Sequence, residues 1–118
     1  MAFSQNERFA LLPQLVSDIS KPLSHPARVK IVMHLLKHGD TPFQELLKVI
    51  PLHQTTVSQH LRLLKRNQLV DVYEKTPHTI YSLNFEQFRK LIMIMQEFIQ
   101  QLMDQGIDPK DTIIRLEE

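Results

Sequence analysis

The sequence contains no cysteine and only two glycines, Gly39 and Gly106. Without cysteine there is no disulfide, no thiol nucleophile and no thiolate metal site. Two isolated glycines cannot form a glycine-rich phosphate-binding loop. The sequence also lacks a His-Glu-x-x-His motif, and its carboxylates are scattered rather than paired in an apolar setting. These absences predict that the protein is not an enzyme, and we expect no cofactor.

Long apolar runs are also missing, since none approaches the roughly 18 residues that a membrane-spanning helix needs. The N-terminus has no basic stretch followed by a long apolar core, so we expect no secretory signal. Together with the absence of cysteine, this pattern predicts a cytoplasmic protein that does not enter a membrane. The 118 residues, 42% of them hydrophobic, are enough for one domain with a sizeable core.

Charge is small overall but unevenly distributed along the chain. The formal net charge is +1. Residues 21–66 hold eight lysines and arginines against two acidic residues, a net of +6, whereas residues 67–118 have a net of −4. Each single charge could simply belong to a solvated surface. A basic middle with acidic flanks, however, is typical of a domain that binds nucleic acid.

Apolar residues at helical spacing predict a first helix at about 5–20 and a second from Pro26 to about residue 38. Pro13 either kinks the first helix or delays its start. Gly39 is the expected stop of the second helix, and Thr41 with Gln44 has the spacing of a capping box that would start a short third helix. The expected core face of the second helix is Val29, Val32, Met33 and Leu36.

The most clearly patterned segment follows Leu52-His53. Val57, Leu61 and Leu64 are spaced i, i+4, i+7 and predict one buried helical face. The remaining positions carry amides and hydroxyls near the start and cations near the end, which suits the base edges and phosphates of a DNA major groove. A short helix followed closely by this one predicts a helix-turn-helix at about 42–67. The predicted DNA contacts are Gln54, Thr55, Ser58, Gln59, Arg62, Lys65 and Arg66.

Two short strands at about 69–83 complete the predicted fold as a wing. Their connecting turn carries Lys75 and His78, which could touch phosphates or a minor groove. Asn84 then caps a long helix at about 85–105, which is apolar nearly all round at residues 91–95. Such a helix either inserts into its own core or packs on a second subunit, and we favour a dimer. The predicted interface residues on the first and last helices are Phe9, Leu12, Val16, Phe88, Leu91, Ile92, Met95, Phe98, Ile99 and Leu102.

Three stretches of the sequence together resemble the ArsR/SmtB family of bacterial winged-helix repressors. They are LSHPARVKIVMHLL, QTTVSQHLRLLKRNQLV and IYSLN, and the resemblance covers about residues 22–84. It implies a mainly α fold with a small β-hairpin wing, in one domain over residues 1–118. It also implies a homodimer that binds a palindromic double-stranded DNA operator, usually as a repressor released by a ligand or metal.

The resemblance carries residue roles and also shows two departures. It places Gln54, Thr55, Ser58 and Gln59 at bases or phosphates, and His60 matches a signature histidine that either contacts DNA or is packed. Gln68 stands where the family has glycine, so we expect Asn67 to adopt the left-handed conformation instead. His53 stands where a small hydroxyl is usual, and we expect it to be a poorer cap.

Candidate sensing sites are weak. The long last helix contains no histidine, so the interhelical ligand set of some family members is not recognisable. His34 and His38 are spaced i, i+4 and could bind zinc with Asp40, but surface histidines near a helix end explain them equally well, and we predict no metal. Met93, Met95 and Met103 could line a pocket for a small-molecule effector or act as flexible core residues. The alternative function is a winged-helix protein-interaction module that does not bind DNA.

Overall fold

The computed structural model describes the backbone of residues 5–111 and the side chains of residues 10–111. Over this range the fold is mainly α with a small β wing, which confirms the predicted fold class. Two 3-10 turns, Lys21–Leu23 and Pro109–Asp111, flank or separate the longer elements. These elements are α1 (Gln5–Ser20), α2 (Pro26–His38), β1 (Thr41–Pro42), α3 (Phe43–Val49), α4 (Gln54–Arg66), β2 (Val70–Lys75), β3 (His78–Leu83) and α5 (Phe85–Asp104).

The wing is a three-stranded antiparallel sheet rather than a simple hairpin. Its order is β1-β3-β2, and Thr41 of β1 pairs with Tyr81 of β3. The predicted capping box at Thr41 is therefore wrong. Thr41 is extended and buried, its hydroxyl donates to the carbonyl of Gly39 at 2.8 Å, and Pro42 precedes α3 without a side-chain cap. The strand pairing holds Thr41 away from the first turn of α3.

The core lies where α2, α3 and α4 meet the base of the wing. Ile31, Leu46, Val57 and Leu64 have no exposed surface. The predicted core face of α2 is wrong, because Ala27, Ile31 and Leu35 are the residues that α2 buries. Val29, Met33 and Leu36 are exposed, and Val32 packs only partly against the core. Apolar residues occupy more than one face of α2, so spacing alone did not identify the inward face.

The junction between α4 and the wing is a tight backbone turn. Gln68 has a positive φ of 64°, whereas Asn67 has φ −89°, so the left-handed residue is Gln68 and the prediction of Asn67 was wrong. The amides of Gln68 and Leu69 donate to the carbonyls of Lys65 and Leu64, at 2.9 and 3.0 Å. These two bonds form a Schellman motif, which satisfies the last carbonyls of α4. The Asn67 side chain donates to a third, that of Leu63.

The two terminal helices pack on one another. α1 runs through Pro13 without a break and contacts α5. At the other end, the amide of Lys110 donates to the Asp108 carboxylate, so Asp108 caps the short 3-10 turn Pro109–Asp111. Ile113, Ile114 and Leu116 are apolar residues for which the sequence predicts packing, and they lie outside the described residues. No helix among residues 5–111 is both long and apolar enough to cross a bilayer.

Candidate nucleic-acid interface

α4 presents two different faces. Val57, His60, Leu61 and Leu64 are buried, which confirms the predicted apolar face at Val57, Leu61 and Leu64. Opposite them lie four exposed side chains spaced i, i+4, i+7 and i+11, which places them in one row along the helix. They are Thr55, Gln59, Arg62 and Arg66. Gln54 and Lys65 are exposed beside this row and Ser58 is half-buried, so the structure brings all seven predicted helix contacts to one outer surface.

The start of α4 is capped by an imidazole. His53 is extended, and its Nδ1 accepts a hydrogen bond from the amide of Thr55 at 3.2 Å. His53 therefore does for the first turn what a serine or aspartate commonly does. The structure thus shows that His53 caps α4, and its lower strength relative to a hydroxyl cap stays a prediction. The result is an ordered helix start with Gln54 and Thr55 exposed.

His60 is not on the outer surface. Only 9% of it is exposed, and its Nδ1 lies 3.2 Å from Nη1 of Arg28 on α2. Its ring also lies against the ring of His25, with centroids 4.3 Å apart. The prediction that His60 contacts DNA is therefore corrected, because its position between Val57 and Leu64 on the buried face turns it towards α2. We call His25, Arg28 and His60 the Arg28 cluster.

Burial and charge act in the same direction on His60. Burial lowers its pKa below the ordinary 6.5, and the neighbouring His25 and Arg28 lower it further. At neutral pH the imidazole is therefore uncharged. An uncharged ring can accept a hydrogen bond from the guanidinium, which is always a donor. This arrangement joins the start of α2 to the middle of α4.

The wing tip carries its two predicted contact residues in adjacent positions. Lys75 pairs with His78 across the turn formed by Thr76 and Pro77, and both side chains are exposed. The base of the wing is tied to the loop before β1 by a 2.8 Å hydrogen bond from the Tyr73 hydroxyl to the Asp40 carboxylate. This bond raises the pKa of Tyr73. The same hydrogen bond occupies the carboxylate of Asp40, the residue that the sequence offered as a third zinc ligand beside His34 and His38.

α5 buries none of its residues completely, although it is 20 residues long. Of the predicted interface residues, Leu12 is buried within its own chain, and Phe88 and Leu91 pack partly on the core, so their contacts are internal at least in part. Val16 and Met95 are half-buried, and the side chain of Phe9 lies outside the described part. Four remain exposed and available to a partner: Ile92, Phe98, Ile99 and Leu102.

Three further apolar residues lie on the open surface of α5 outside the predicted interface set, although Met93 and Met103 were considered as pocket or core residues. Phe85, Met93 and Met103 are 60%, 64% and 44% exposed. Phe85, Ile92, Ile99 and Met103 follow one another at intervals of seven, seven and four residues, so they form one row along the helix. That spacing was visible in the sequence. The apolar residues on the neighbouring face, which pack on α1 and the core, concealed it.

The candidate sensing sites remain incomplete in the structure. The rings of His34 and His38 lie 4.5 Å apart, but among the described residues no three histidine, aspartate or glutamate side chains come together as a metal site would require. Of the three methionines, Met93 alone lines the shallow groove on α5, together with Gln96, Glu97, Ile99 and Gln100. Met95 and Met103 do not line this groove.

Comparison with known proteins places this geometry among regulators of transcription. The model of the family described as "Bacterial regulatory protein, arsR family" matches residues 25–72, which include α2 to α4 and the first residues of β2. Transcriptional repressor PagR of Bacillus anthracis is 33% identical over 85 residues, covering 67% of this chain and 79% of its own. Transcriptional repressor SdpR of Bacillus subtilis (strain 168) is 30% identical over 84 residues, covering 71% of this chain and 92% of its own.

A solved structure shows the same fold over nearly the whole chain. It is the solution NMR structure of the homodimeric winged helix-turn-helix DNA-binding domain (fragment 1-100) of Mb0332 from Mycobacterium bovis, a possible ArsR-family regulator. The TM-score is 0.59 at 22% identity, with 92% of this chain and 98% of that chain covered. PagR and SdpR are both named as transcriptional repressors, and neither is named as an enzyme.

Proposed function

Because this chain belongs to the arsR family of bacterial regulatory proteins and is a DNA-binding transcriptional regulator, we propose that it is a homodimeric repressor of a palindromic operator. In this proposal α4 enters the major groove and the wing tip contacts the flanking backbone. The observation that carries it is the outer row of α4, in which hydrogen-bonding and cationic side chains alone are exposed. A protein that acts on bacterial operator DNA works in the cytoplasm, which is where we place it.

Specificity is assigned to the first half of α4. Gln54, Thr55, Ser58 and Gln59 carry amides and hydroxyls, which can hydrogen-bond to base edges. Arg62, Lys65 and Arg66 follow in the second half, where cations meet phosphates irrespective of sequence. Lys75 and His78 add backbone contacts from the wing. In this division of roles, the first half of α4 discriminates among DNA sequences, and the second half contributes affinity for any sequence.

Dimerisation is supported by the open surface of α5. Ile92 and Ile99 are about half exposed in a helix that has no fully buried residue. Monomeric proteins rarely leave a row of large apolar side chains in water, and such rows mark interfaces. The fold neighbour from Mycobacterium bovis is described as a homodimer. A two-fold axis beside α5 would present two copies of α4 to half-sites roughly 10 bp apart.

Selection of bound sequences from random DNA, followed by mobility shift, tests the proposal. We expect a palindromic site whose affinity falls steeply with salt, because counterions are released on binding. Arg62→Ala should weaken all sequences about equally and lower the salt slope by about 1, whereas Gln54→Ala with Ser58→Ala should reduce discrimination between operator and random DNA.

Lys110→Ala is the matched control, because Lys110 is an exposed cation after α5, away from α4 and the wing. It should leave both affinity and salt slope unchanged. Failure to enrich any sequence at low salt, with a heterodimeric protein partner recovered instead, would favour the protein-interaction alternative. Equal effects of the Arg62 and Gln54/Ser58 variants on discrimination would refute the division of roles.

A further inference from the structure

We propose that Arg28 and His60 are positioning residues for DNA reading, because the hydrogen bond between them sets the pose of α4 and exists only while His60 is uncharged. This inference rests on the proposed function and names a regulation of the same surface. It predicts that operator binding weakens on mild acidification. Neither residue touches DNA in this account.

Arg28 joins three parts of the chain through one guanidinium. Its Nε donates to the carbonyl of Pro22 at 2.7 Å, in the 3-10 turn before α2. Its Nη2 donates to the Ser24 hydroxyl at 3.3 Å, and Nη1 lies 3.2 Å from Nδ1 of His60. The rigid planar fork of arginine suits three acceptors in fixed directions, which a lysine ammonium cannot reproduce. The turn, the start of α2 and the recognition helix are thus linked by one side chain.

His60 sits where a small movement would reach the reading surface. It follows Gln59, which belongs to the exposed row of α4, and precedes Leu61, which is 1% exposed in the core. A rotation of α4 that released His60 would carry Gln59 and Arg62 with it. Since base contacts depend on placement to within a fraction of an ångström, such a rotation would cost specific affinity.

The hydrogen-bonding chemistry assigns the protonation state. Arginine is always a donor, so Nδ1 of His60 must be the acceptor and its proton must lie on Nε2. A second proton on Nδ1 would remove the acceptor and place two positive charges about 3 Å apart. His25 is also held by a hydrogen bond, because its Nδ1 accepts from the amide of Ala27 at 3.1 Å as the cap of α2.

Within the described side chains, no carboxylate forms an ion pair that would compensate for protonation in this cluster. The charged or titratable groups recorded facing His60 are Arg28 and His25, both at the start of α2. Among side chains 10–111, no carboxylate pairs with any of the three. Burial first, then His25 and Arg28, lower the pKa of His60 below 6.5. The bond is therefore complete above about pH 6.5 and is lost as the pH falls from there through the lowered value.

The sign of the effect separates this account from ordinary electrostatics. Protonating histidines adds positive charge, which by itself strengthens binding to the DNA polyanion. A loss of affinity that shrinks when His60 alone is made unable to titrate would therefore identify the Arg28 cluster as the cause.

The experiment measures the Kd for the selected operator between pH 8 and 5.5 at constant ionic strength, for wild type, His60→Asn and Arg28→Lys. Asparagine places Oδ1 one bond from Cγ, as histidine places Nδ1, so it keeps an acceptor without the titration. We expect wild type to lose affinity between pH 7.5 and 5.5, by less than the roughly tenfold that one proton with an unshifted pKa could cause. His60→Asn should keep its affinity at pH 7.5 and lose less of it than wild type on acidification. Arg28→Lys should bind about tenfold more weakly already at pH 7.5.

His38→Asn is the matched control, since His38 is an exposed histidine of α2 outside the Arg28 cluster. It should retain the profile of wild type. An unchanged pH profile in His60→Asn, or wild-type affinity in Arg28→Lys, would overturn the proposal.

A measurement without DNA separates this inference from the proposed function. The thermal unfolding midpoint of wild type should fall more between pH 7.5 and 5.5 than that of His60→Asn, because only wild type loses the bond. If no operator were found but this difference remained, the repressor function would fail while the Arg28–His60 bond stood. Equal falls in both proteins would overturn the bond as a pH-sensitive contact.

Discussion

The recognition helix α4 and the terminal helix α5 are both amphipathic, yet the chain treats their apolar faces differently. Val57, Leu61 and Leu64 of α4 are at most 1% exposed, because α2 and β2 close over them. α5 has α1 on one side and leaves Ile92 and Ile99 about half exposed on another. The apolar face of α4 is covered by its own chain, whereas that of α5 stays partly exposed, and in the proposed dimer a second copy covers it.

This difference separates two uses of one type of helix. When the apolar face is buried, the polar face becomes a fixed surface that a ligand such as DNA can meet without reorganisation. When an apolar face is left open, burying it against a partner releases water and drives association. Three sets of substitutions, taken in order of decreasing expected effect, test this contrast.

The largest effect is expected from Leu61→Ala on the buried face of α4. Truncating a fully buried leucine leaves a cavity, so the free energy of unfolding should fall by about 2–5 kcal/mol. Urea denaturation at one fixed protein concentration measures it. Gln59→Ala, on the exposed row of the same helix, is the control and should change stability by less than about 0.5 kcal/mol. A loss below about 1 kcal/mol at Leu61 would mean that α4 is not anchored as described.

A smaller effect, and of a different kind, is expected from Ile99→Glu on α5. Burying a carboxylate in an interface should weaken association by about 2 kcal/mol or more, roughly thirtyfold in the dimer Kd. Sedimentation equilibrium measures it. Lys90→Glu is the control, since Lys90 is exposed on the opposite side of the helix, nine residues away. Dissociation by the Lys90 variant, or an unchanged dimer in Ile99→Glu, would place the interface elsewhere.

The smallest effect is expected where the two helices are alike, at their N-terminal caps. The Asn84 side chain accepts from the amide of Gln87 at 3.0 Å, as His53 does from Thr55 on α4. Asn84→Ala and His53→Ala should each lower stability by about 1 kcal/mol, measured by thermal unfolding at neutral pH. Asn84→Ser should restore most of the loss, because serine is a comparable cap. A loss of stability in only one of the two alanine variants would show that the caps of α4 and α5 are not equivalent.

Periodicity worked best where a segment has a single apolar face. In α4 the three apolar positions and the polar remainder admit one orientation, and the structure adopts it. In α2, Ile31 and Leu35 are buried while Met33 and Leu36 are 63% and 66% exposed, and all four are apolar. A helix with apolar residues on several sides can be turned inward in more than one way, and only packing against α4 and β3 selects among them.

Local signals were less reliable where a residue has a distant partner. Thr41 looked like a cap, but Tyr81, forty residues away, pairs with it in a strand. The sequence left His60 open between contacting DNA and being packed, and its contact with Arg28, thirty-two residues away, shows that it is packed. The cap formed by His53 depends on the reach of one ring nitrogen, which a ranking of cap residues by type does not include. In each case a contact across the chain, or the reach of one atom, overrode a preference of residue type.

The order of elements, the position of the helix-turn-helix, the wing and the outer surface of α4 were all readable from residue types and spacing. Those features depend on local patterning, which one sequence contains in full. The inward face of α2, the third strand of the wing, the left-handed Gln68 and the Arg28 cluster were decided by the tertiary structure. They depend on which distant residues share the same space, and a pattern along the chain does not record that.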